Sequence, residues 1–486
     1  MNKLSIIKSL FKTNVFDGCE ISSITDDSRD AQNGSLFIAR GGVGSHGINF
    51  VKEAIENGAS CIISDQDQKE DFNIPFLYER DLEKMLIDIL VEFYGLQLEN
   101  LLFHGITGTN GKTTTAFMAH KIMRSLSRPA VYIGTIGAII NDEIFSTKGN
   151  TTPGIFELFA ILSNINTNQH TYVFLEISSH ALAQKRLNNL CMVQSIILNI
   201  QSDHLDYHHT NQNYFSTKLS ILDMDNKNPP IIFIDKIHPQ HSESISLQAK
   251  QMSMANFLSC QDPLAPFSFE MKFNAQGTSF INLNFLTLKA SLKASSFPIF
   301  NLENFISAIA LIAEHLTKED LKIIENFPIE LPKGRGELLE LKKGNVLIDF
   351  AHDVQSMKNI LSALKDSYAE IILVFGCGGD RDKSKRPKMM KVALEFADEI
   401  FFTSDNNRNE LFSSIVSDAM DSKIASNIKV VEDRGQAIQI AFQSLNKNNI
   451  LVILGKGHEM FMEVSGKKLP FNDRNWVLKI SNNEIN

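Results

Sequence analysis

A lysine able to grip a phosphate chain sits in the stretch Gly105–Thr115, GITGTNGKTTT. An apolar run from Leu101 to Ile106 precedes it, and a pattern in which Ala116, Ala119, Met123 and Leu126 recur at helical spacing follows. Gly108 and Gly111 let the backbone turn tightly and aim N–H groups at an anion, while the helix N-terminus adds partial positive charge. Lys112 can then reach the terminal phosphates, and the Thr113 hydroxyl suits magnesium. Thr109, Asn110 and Thr114 complete the nucleotide-contacting loop. The strict phosphate-loop spacing wants a glycine where Ile106 stands. The reading therefore rests on strand, loop and helix together, since glycines alone fit an ordinary βα turn with a surface lysine.

Two further groups stand where open α/β sheets bind ligands, beyond the carboxyl ends of buried strands. Glu176 ends the apolar run in LEISSHAL, and His204 follows another in LNIQSDHLDYHHT. A carboxylate and an imidazole there could share a second magnesium, although that ion prefers oxygen. His204 taken alone fits a hydrogen-bonded structural histidine, and its neighbours Asp203, Asp206, His208 and His209 fit a solvated loop equally.

The elements that must position these groups follow from periodicity. Residues 1–98 hold short strand-like runs (GSLFIA, CIIS) and end in the helical LEKMLIDILVEFYGL. Residues 99–332 open with buried-strand runs alternating with helices: LLFHGIT, AVYIG, TYVFLEIS, QSIILNI and IIFID. Such alternation predicts a parallel sheet covered on both faces. A polar stretch from about 237 to 330 reads as poor in sheet. Residues 333–486 resume the α/β pattern with NVLIDFA, EIILVFGC, EIFFTS, IKVVE and ILVILGKG. Three α/β domains are expected.

Composition narrows the partners. The chain has 486 residues, 43% apolar and 21% charged, which exceeds what one core accommodates. A formal charge of −9 offers no basic field for nucleic acid. Its five cysteines stand singly, without zinc or disulfide spacing, which points to a reducing compartment. The N-terminal MNKLSIIKSLFKTNVFDGCE lacks a signal-peptide core, and no run of about 18 apolar residues occurs. A cytoplasmic protein without a membrane partner is expected.

In order along the chain, GTNGKTTT, NTTPG, EISSHALAQKR, DHLDYH, YFSTK, GRGE, DFAH, FGCGGDRDKSKRP, TSDNNRNE and LGKGHE resemble the motifs of the Mur ligases. The match spans about residues 26 to 474, and GCGGDRD, SDNxR and GKGHE are similar to the members adding the third residue of the peptidoglycan stem peptide. The resemblance implies an N-terminal uridine-binding domain, a central phosphate-loop ATPase domain and a Rossmann-like C-terminal amino-acid-binding domain. It implies that ATP phosphorylates the D-glutamyl carboxylate of UDP-MurNAc-L-Ala-D-Glu, and that an amine then attacks the acyl phosphate. It also implies that Lys218, whose residue type alone fits a helix-surface lysine, is carbamylated and shares a second Mg²⁺ with Glu176 and His204.

By the same resemblance, Asp26 and Ser28 match uridine-site residues. Asn150, Thr151, Thr152, Ser178, Gln184 and Arg186 match those holding sugar and peptide, and Asn301, Asn304 and His352 match nucleotide contacts. Arg381, Asp405, Asn406, Asn407, Arg408, Gly455 and Glu459 resemble the amino-acid pocket. Arg408 occupies the arginine position of the diaminopimelate-type Asp-Asn-Pro-Arg motif, and its planar fork suits a carboxylate that lysine lacks. Meso-diaminopimelate is therefore the expected amino acid, with the lysine-adding counterpart as the alternative. A folylpolyglutamate synthase and an NTP-driven switch are more distant readings. A monomer is expected. The chain departs from the family pattern at His46, where an acidic residue is usual, in SSFPIFNLEN, which lacks a glycine, in AHDVQS, and at Asn407, where proline is usual.

Overall fold

The computed structural model describes residues 10–11, 13–42, 44–68, 71–187, 190–201, 203–237, 255–273, 279–285, 288–294, 300–325, 327–365, 367–420 and 425–482. The segment 295–299, where the missing glycine was noted, lies outside them. The chain divides into two compact units. One comprises residues 1–106, 127–195 and 219–230, the other residues 107–126, 196–218 and 231–486.

The first unit contains two sets of strands. Near the N-terminus, β1 (Ser23–Thr25), β2 (Ser35–Ala39), β3 (Ala59–Ser64) and β4 (Phe76–Tyr78) pair in parallel in chain order. Phe37, Val51, Ala54 and Ile62 form the core beside this sheet. The helix α1 (Leu82–Tyr94) follows and stops at Gly95, whose φ of 66° ends it in the left-handed conformation. In the second set, β9 (Thr171–Glu176) is flanked in parallel by β5 (Leu101–Thr107) and β6 (Ala130–Gly134). Beyond β6, β7 (Gly137–Ile140) and β8 (Glu143–Phe145) turn antiparallel.

In the second unit, α2 (Lys112–Ser125) begins directly after the glycine loop, and α5 (Phe300–Ile312) packs against it. Ile196 and Ile197 of β10 (Gln194–Ile197) pair in parallel with β11 (Ile231–Phe233), which continues in parallel to β12 (Asn256–Ser259) and β13 (Phe267–Phe273). Antiparallel β14 (Ser279–Phe285) and β15 (Leu288–Ala294) complete the series. The expectation of a sheet-poor stretch after residue 237 is thus overturned. SFINLNF and LKASLKA bury alternate residues only. A half-solvated antiparallel strand therefore reads as polar when continuous apolar runs are sought.

The C-terminal sheet runs β16 (Glu337–Glu340), β17 (Asn345–Asp349), β21 (Asn449–Leu454), β18 (Glu370–Phe375), β19 (Glu399–Phe402), β20 (Ile428–Val430), parallel except for the edge strand β16. Helices α6 (Val354–Lys365) and α7 (Lys385–Phe396) cover one face, while α8 (Arg434–Ser444) and α9 (Asp473–Ser481) cover the other. The hairpin of β22 (Phe461–Val464) and β23 (Lys467–Pro470) follows β21. The short helix α3 (Ser179–Ala183) is flanked by the expected site residues Ser178 and Gln184, and α4 (Asn211–Leu219) carries Lys218.

Candidate active site

The glycine loop is held open by its own neighbours. Gly111 caps α2 at φ 88°, and a Cβ there would stand 2.6 Å from Asn304 Oδ1. Only glycine fits that approach. Asn110 N–H donates to Asn199 Oδ1 and Asn199 Nδ2 donates to Asn110 O, both at 2.9 Å. Thr109 shares a 3.0 Å hydrogen bond with the Tyr214 hydroxyl. Lys112 Nζ donates to the carbonyls of Gly108 (2.8 Å) and Thr109 (3.0 Å), so the lysine folds over the loop that would take a phosphate.

Lys218 is not a surface lysine. It is 1% exposed, and its amine donates to Gly108 O at 2.9 Å and lies 5.0 Å from the Tyr214 ring centre. Burial, then the charge of Lys112, push its pKa well below the usual lysine range, with Asp203 opposing. Asp203 itself is held below the ordinary carboxylate range: burial disfavours its charge, but His204, His352 and Lys385 outweigh that. His204 adopts a left-handed φ of 50° and its Nε2 lies 3.3 Å from Asp203.

A cavity of about 420 Å³ opens beside the loop. Asn110, Gly111, Asn304, Arg335, Asp349 and His352 contribute to its lining. Asn304 Nδ2 donates to Asn301 Oδ1 at 3.3 Å, the Arg335 guanidinium stacks 4.2 Å from the Phe350 ring centre, and Asp349 accepts from Ala351 N–H at 2.7 Å and Gly336 N–H at 2.5 Å. Burial nevertheless raises the Asp349 pKa.

In the first unit, the fully buried Glu176 accepts from the Tyr132 hydroxyl, from Thr135 N–H (2.9 Å) and from the Thr135 hydroxyl (3.0 Å). The Thr135 hydroxyl lies 3.2 Å from that of Thr151. The Thr152 hydroxyl donates to Glu176 O (2.8 Å) and accepts from Ser178 N–H (2.9 Å), and Arg186 Nη1 donates to Thr152 O at 2.8 Å. Arg186 Nε also donates to Gln184 at 2.9 Å. These five substrate-type positions therefore gather around Glu176, while Asn150 is exposed. Asp26 and Ser28 sit in the N-terminal sheet region, paired with Arg40 (2.9 Å) and Glu53 (2.6 Å). His46 explains its own departure: Nδ1 accepts from Ile48 N–H (3.0 Å), so the ring proton lies on Nε2, which donates to Asp65 (2.7 Å). An imidazole thus performs the capping a carboxylate would.

The C-terminal pocket residues also converge. Arg408 sits at φ 51° and donates from Nη1 to Gly379 O at 2.6 Å. Asn406 Nδ2 donates to Glu459 Oε2 (2.9 Å), which also accepts from the fully buried Lys456 (2.7 Å). Gly455 must be glycine, because a Cβ would overlap the Asp405 carboxylate. Burial opposes the Asp405 charge, but Lys456 and Arg434 hold its pKa low. Asn407 Nδ2 donates to Ser404 Oγ at 3.0 Å, and Arg381 is exposed on the glycine-rich turn.

Residues 106–312 match the Mur ligase middle domain and residues 334–457 the Mur ligase glutamate ligase domain. The chain is 33% identical over 485 residues to a UDP-N-acetylmuramoyl-L-alanyl-D-glutamate–2,6-diaminopimelate ligase of Listeria monocytogenes, covering 98% of this chain and 97% of that one. The chain belongs to the Mur ligase family. A relative of the same name from Caldanaerobacter subterraneus is 33% identical over 466 residues, 95% of each chain. A solved structure of that name aligns at 25% identity and TM-score 0.63, covering 96% of this chain and 95% of the other. A folylpolyglutamate synthase of Mycobacterium tuberculosis, complexed with ADP and AMPPCP, shares the fold at 17% identity and TM-score 0.60, covering 76% of this chain and 91% of its own. Sequence reasoning about this Mur ligase missed Arg335, Asp349, Arg386 and Lys456. All four lie inside the segments GRGE, DFAH, SKRP and GKGHE, whose individual residues only the geometry sorts.

Proposed function

We propose that this Mur ligase uses ATP to join meso-diaminopimelate to UDP-MurNAc-L-Ala-D-Glu through an acyl phosphate. The observation that carries the reading is the preformed glycine loop opening on the cavity lined by Asn304, Arg335, Asp349 and His352. The printed names of the near-full-length relatives support the amino acid and the UDP-sugar.

Lys112 exchanges its two carbonyl partners for the terminal phosphates and neutralises charge as the phosphoryl group moves. Asn301, Asn304 and His352 hold the nucleotide, and Asn150, Thr151, Thr152, Ser178, Gln184 and Arg186 orient the peptide carboxylate. Lys218 fits a carbamate chemically: burial disfavours its charged form, and a neutral amine adds to CO₂, forming an N–C bond and losing one proton. Among the described residues no group of three His, Cys, Asp or Glu side chains gathers to hold a metal. Thr113, Glu176, His204 and carbamylated Lys218 would hold magnesium, which stabilises charge on the transferring phosphate. Arg381, Asp405, Asn406, Asn407, Arg408, Gly455 and Glu459 hold the incoming amino acid, whose free amine attacks the acyl carbon and expels phosphate.

Residues 1–98, with Asp26 and Ser28, serve the uridine end, residues 99–332 ATP, and residues 333–486 the amino acid. The enzyme works as a cytoplasmic monomer. Among the described residues no helix is long and apolar enough to cross a membrane. Phosphate release is the test. It should require UDP-MurNAc-L-Ala-D-Glu and diaminopimelate together, and release that ignores the amino acid, or that demands a folate, overturns the proposal.

A further inference from the structure

Beside the arginine expected to select the amino acid stands an acid that no motif contains. Glu463 belongs to β22, and its backbone is fastened to the pocket loop twice. Its carbonyl accepts from Arg408 N–H at 2.9 Å, and its N–H donates to Asn406 Oδ1 at 2.8 Å. Ser465 N–H donates to Arg408 O at 2.6 Å, completing the bridge between the strands. The side chain is placed by that register, and its carboxylate lies 3.5 Å from Arg408 Nε.

The other acids nearby are already answered. Glu459 Oε2 accepts from both Lys456 and Asn406, and Asp405 is buried against the charges of Lys456 and Arg434. Among the described residues the Glu463 carboxylate has only the long contact to Arg408, and its side chain is 36% exposed against 22% for Arg408. Arg408 in turn has Nη1 engaged by Gly379 O, while Nη2 has no hydrogen-bond partner among the described residues. A cation and an anion, both partly exposed, therefore stand adjacent.

We propose that Glu463 is a specificity-determining residue: Arg408 takes the distal carboxylate of the incoming amino acid and Glu463 takes the ammonium on the same carbon. The pair is complementary to a whole α-amino-acid head. This rests on the diaminopimelate reading above. Lysine would satisfy Glu463 and leave Arg408 uncompensated, whereas a distal carboxylate without its amine would satisfy Arg408 and meet the like charge of Glu463.

The test compares meso-diaminopimelate, 2-aminopimelate (the distal carboxylate without its amine) and lysine as substrates of the wild type, Glu463→Gln and Glu463→Asp. Glu463→Gln should raise the KM for diaminopimelate about tenfold, the worth of one charged hydrogen bond. The KM for 2-aminopimelate should stay level or fall, and Glu463→Asp should keep part of the preference. Unchanged KM values for ATP and the UDP-sugar report an intact fold. A preference for diaminopimelate over 2-aminopimelate that survives Glu463→Gln overturns the assignment. A wild type that prefers lysine to both diacids overturns the diaminopimelate reading instead.

Discussion

Lys112 and Lys218 share one acceptor, the carbonyl of Gly108, yet removing them should have different consequences. Lys112→Ala should abolish ligation and ATP turnover while the fold survives, because a half-buried lysine that donates to the carbonyls of Gly108 and Thr109 contributes little to stability; unimpaired ATP turnover would sink the nucleotide reading. Lys218→Ala should also be inactive, but added formate or acetate should partly restore activity by supplying the missing oxygen ligand, and intact mass of the native enzyme should show the carbamate. A plain amine at full activity contradicts it. His458 sets a pH limit of a different kind. Burial, then the charges of Arg335, His352 and Lys456, lower its pKa to about 3. The unfolded chain therefore binds a proton near the usual histidine pKa that the folded chain refuses. Stability is complete above about pH 6.5 and drains as the pH falls toward 3, by at most about 2 kcal/mol between pH 7 and 5. Denaturant titrations of wild type and His458→Gln at those two pH values should show the slope flattened in the variant.

At the scale of elements, one buried guanidinium fixes the loops of the proposed amino-acid pocket. Arg386 of α7 is fully buried and donates to Gly378 O (3.0 Å), to both Glu410 oxygens (3.0 and 2.7 Å) and to Asp418 (2.6 Å). It ties the glycine-rich turn bearing Arg381 to the loop bearing Arg408, and Glu410 is held far below the ordinary carboxylate range as a result. Glu410→Gln should cost about 2 kcal/mol and raise the KM for the amino acid more than that for ATP; equal shifts in both would reduce the staple to a stability role. None of this was legible in sequence, since a buried arginine and a surface one are the same letter. Strands were legible where both faces are covered: NVLIDFA and EIILVFGC announce themselves as continuous apolar runs. The ribbon from β13 to β15 was not, because solvent on one face halves the signal.

For the whole molecule, the glycine loop was legible because its chemistry restricts residue types, Gly111 standing where a Cβ would collide with Asn304, whereas the pocket positions were readable only through the family resemblance. Sequence alone could not find partners set by distance, such as Arg40 on Asp26, or Glu463 on Arg408. The half-wet ribbon has a consequence that concerns neither substrate nor rate. Among the described residues β15 is the last strand of its sheet and has no partner on its outer edge, and its outward residues are Lys289, Ser291 and Lys293. Phe280 is nearly half exposed on β14 and lies in register between Lys272 and Lys293. An open edge beside an exposed aromatic ring invites a second copy to add a strand, and lysines repel that copy. Replacing Lys289 and Lys293 by isoleucine should leave dilute ligation intact and make concentrated solutions scatter light on standing, with fibril-binding dye fluorescence rising in parallel. Clear solutions of that double variant would mean that something other than these two charges keeps crowded copies of the enzyme from stacking.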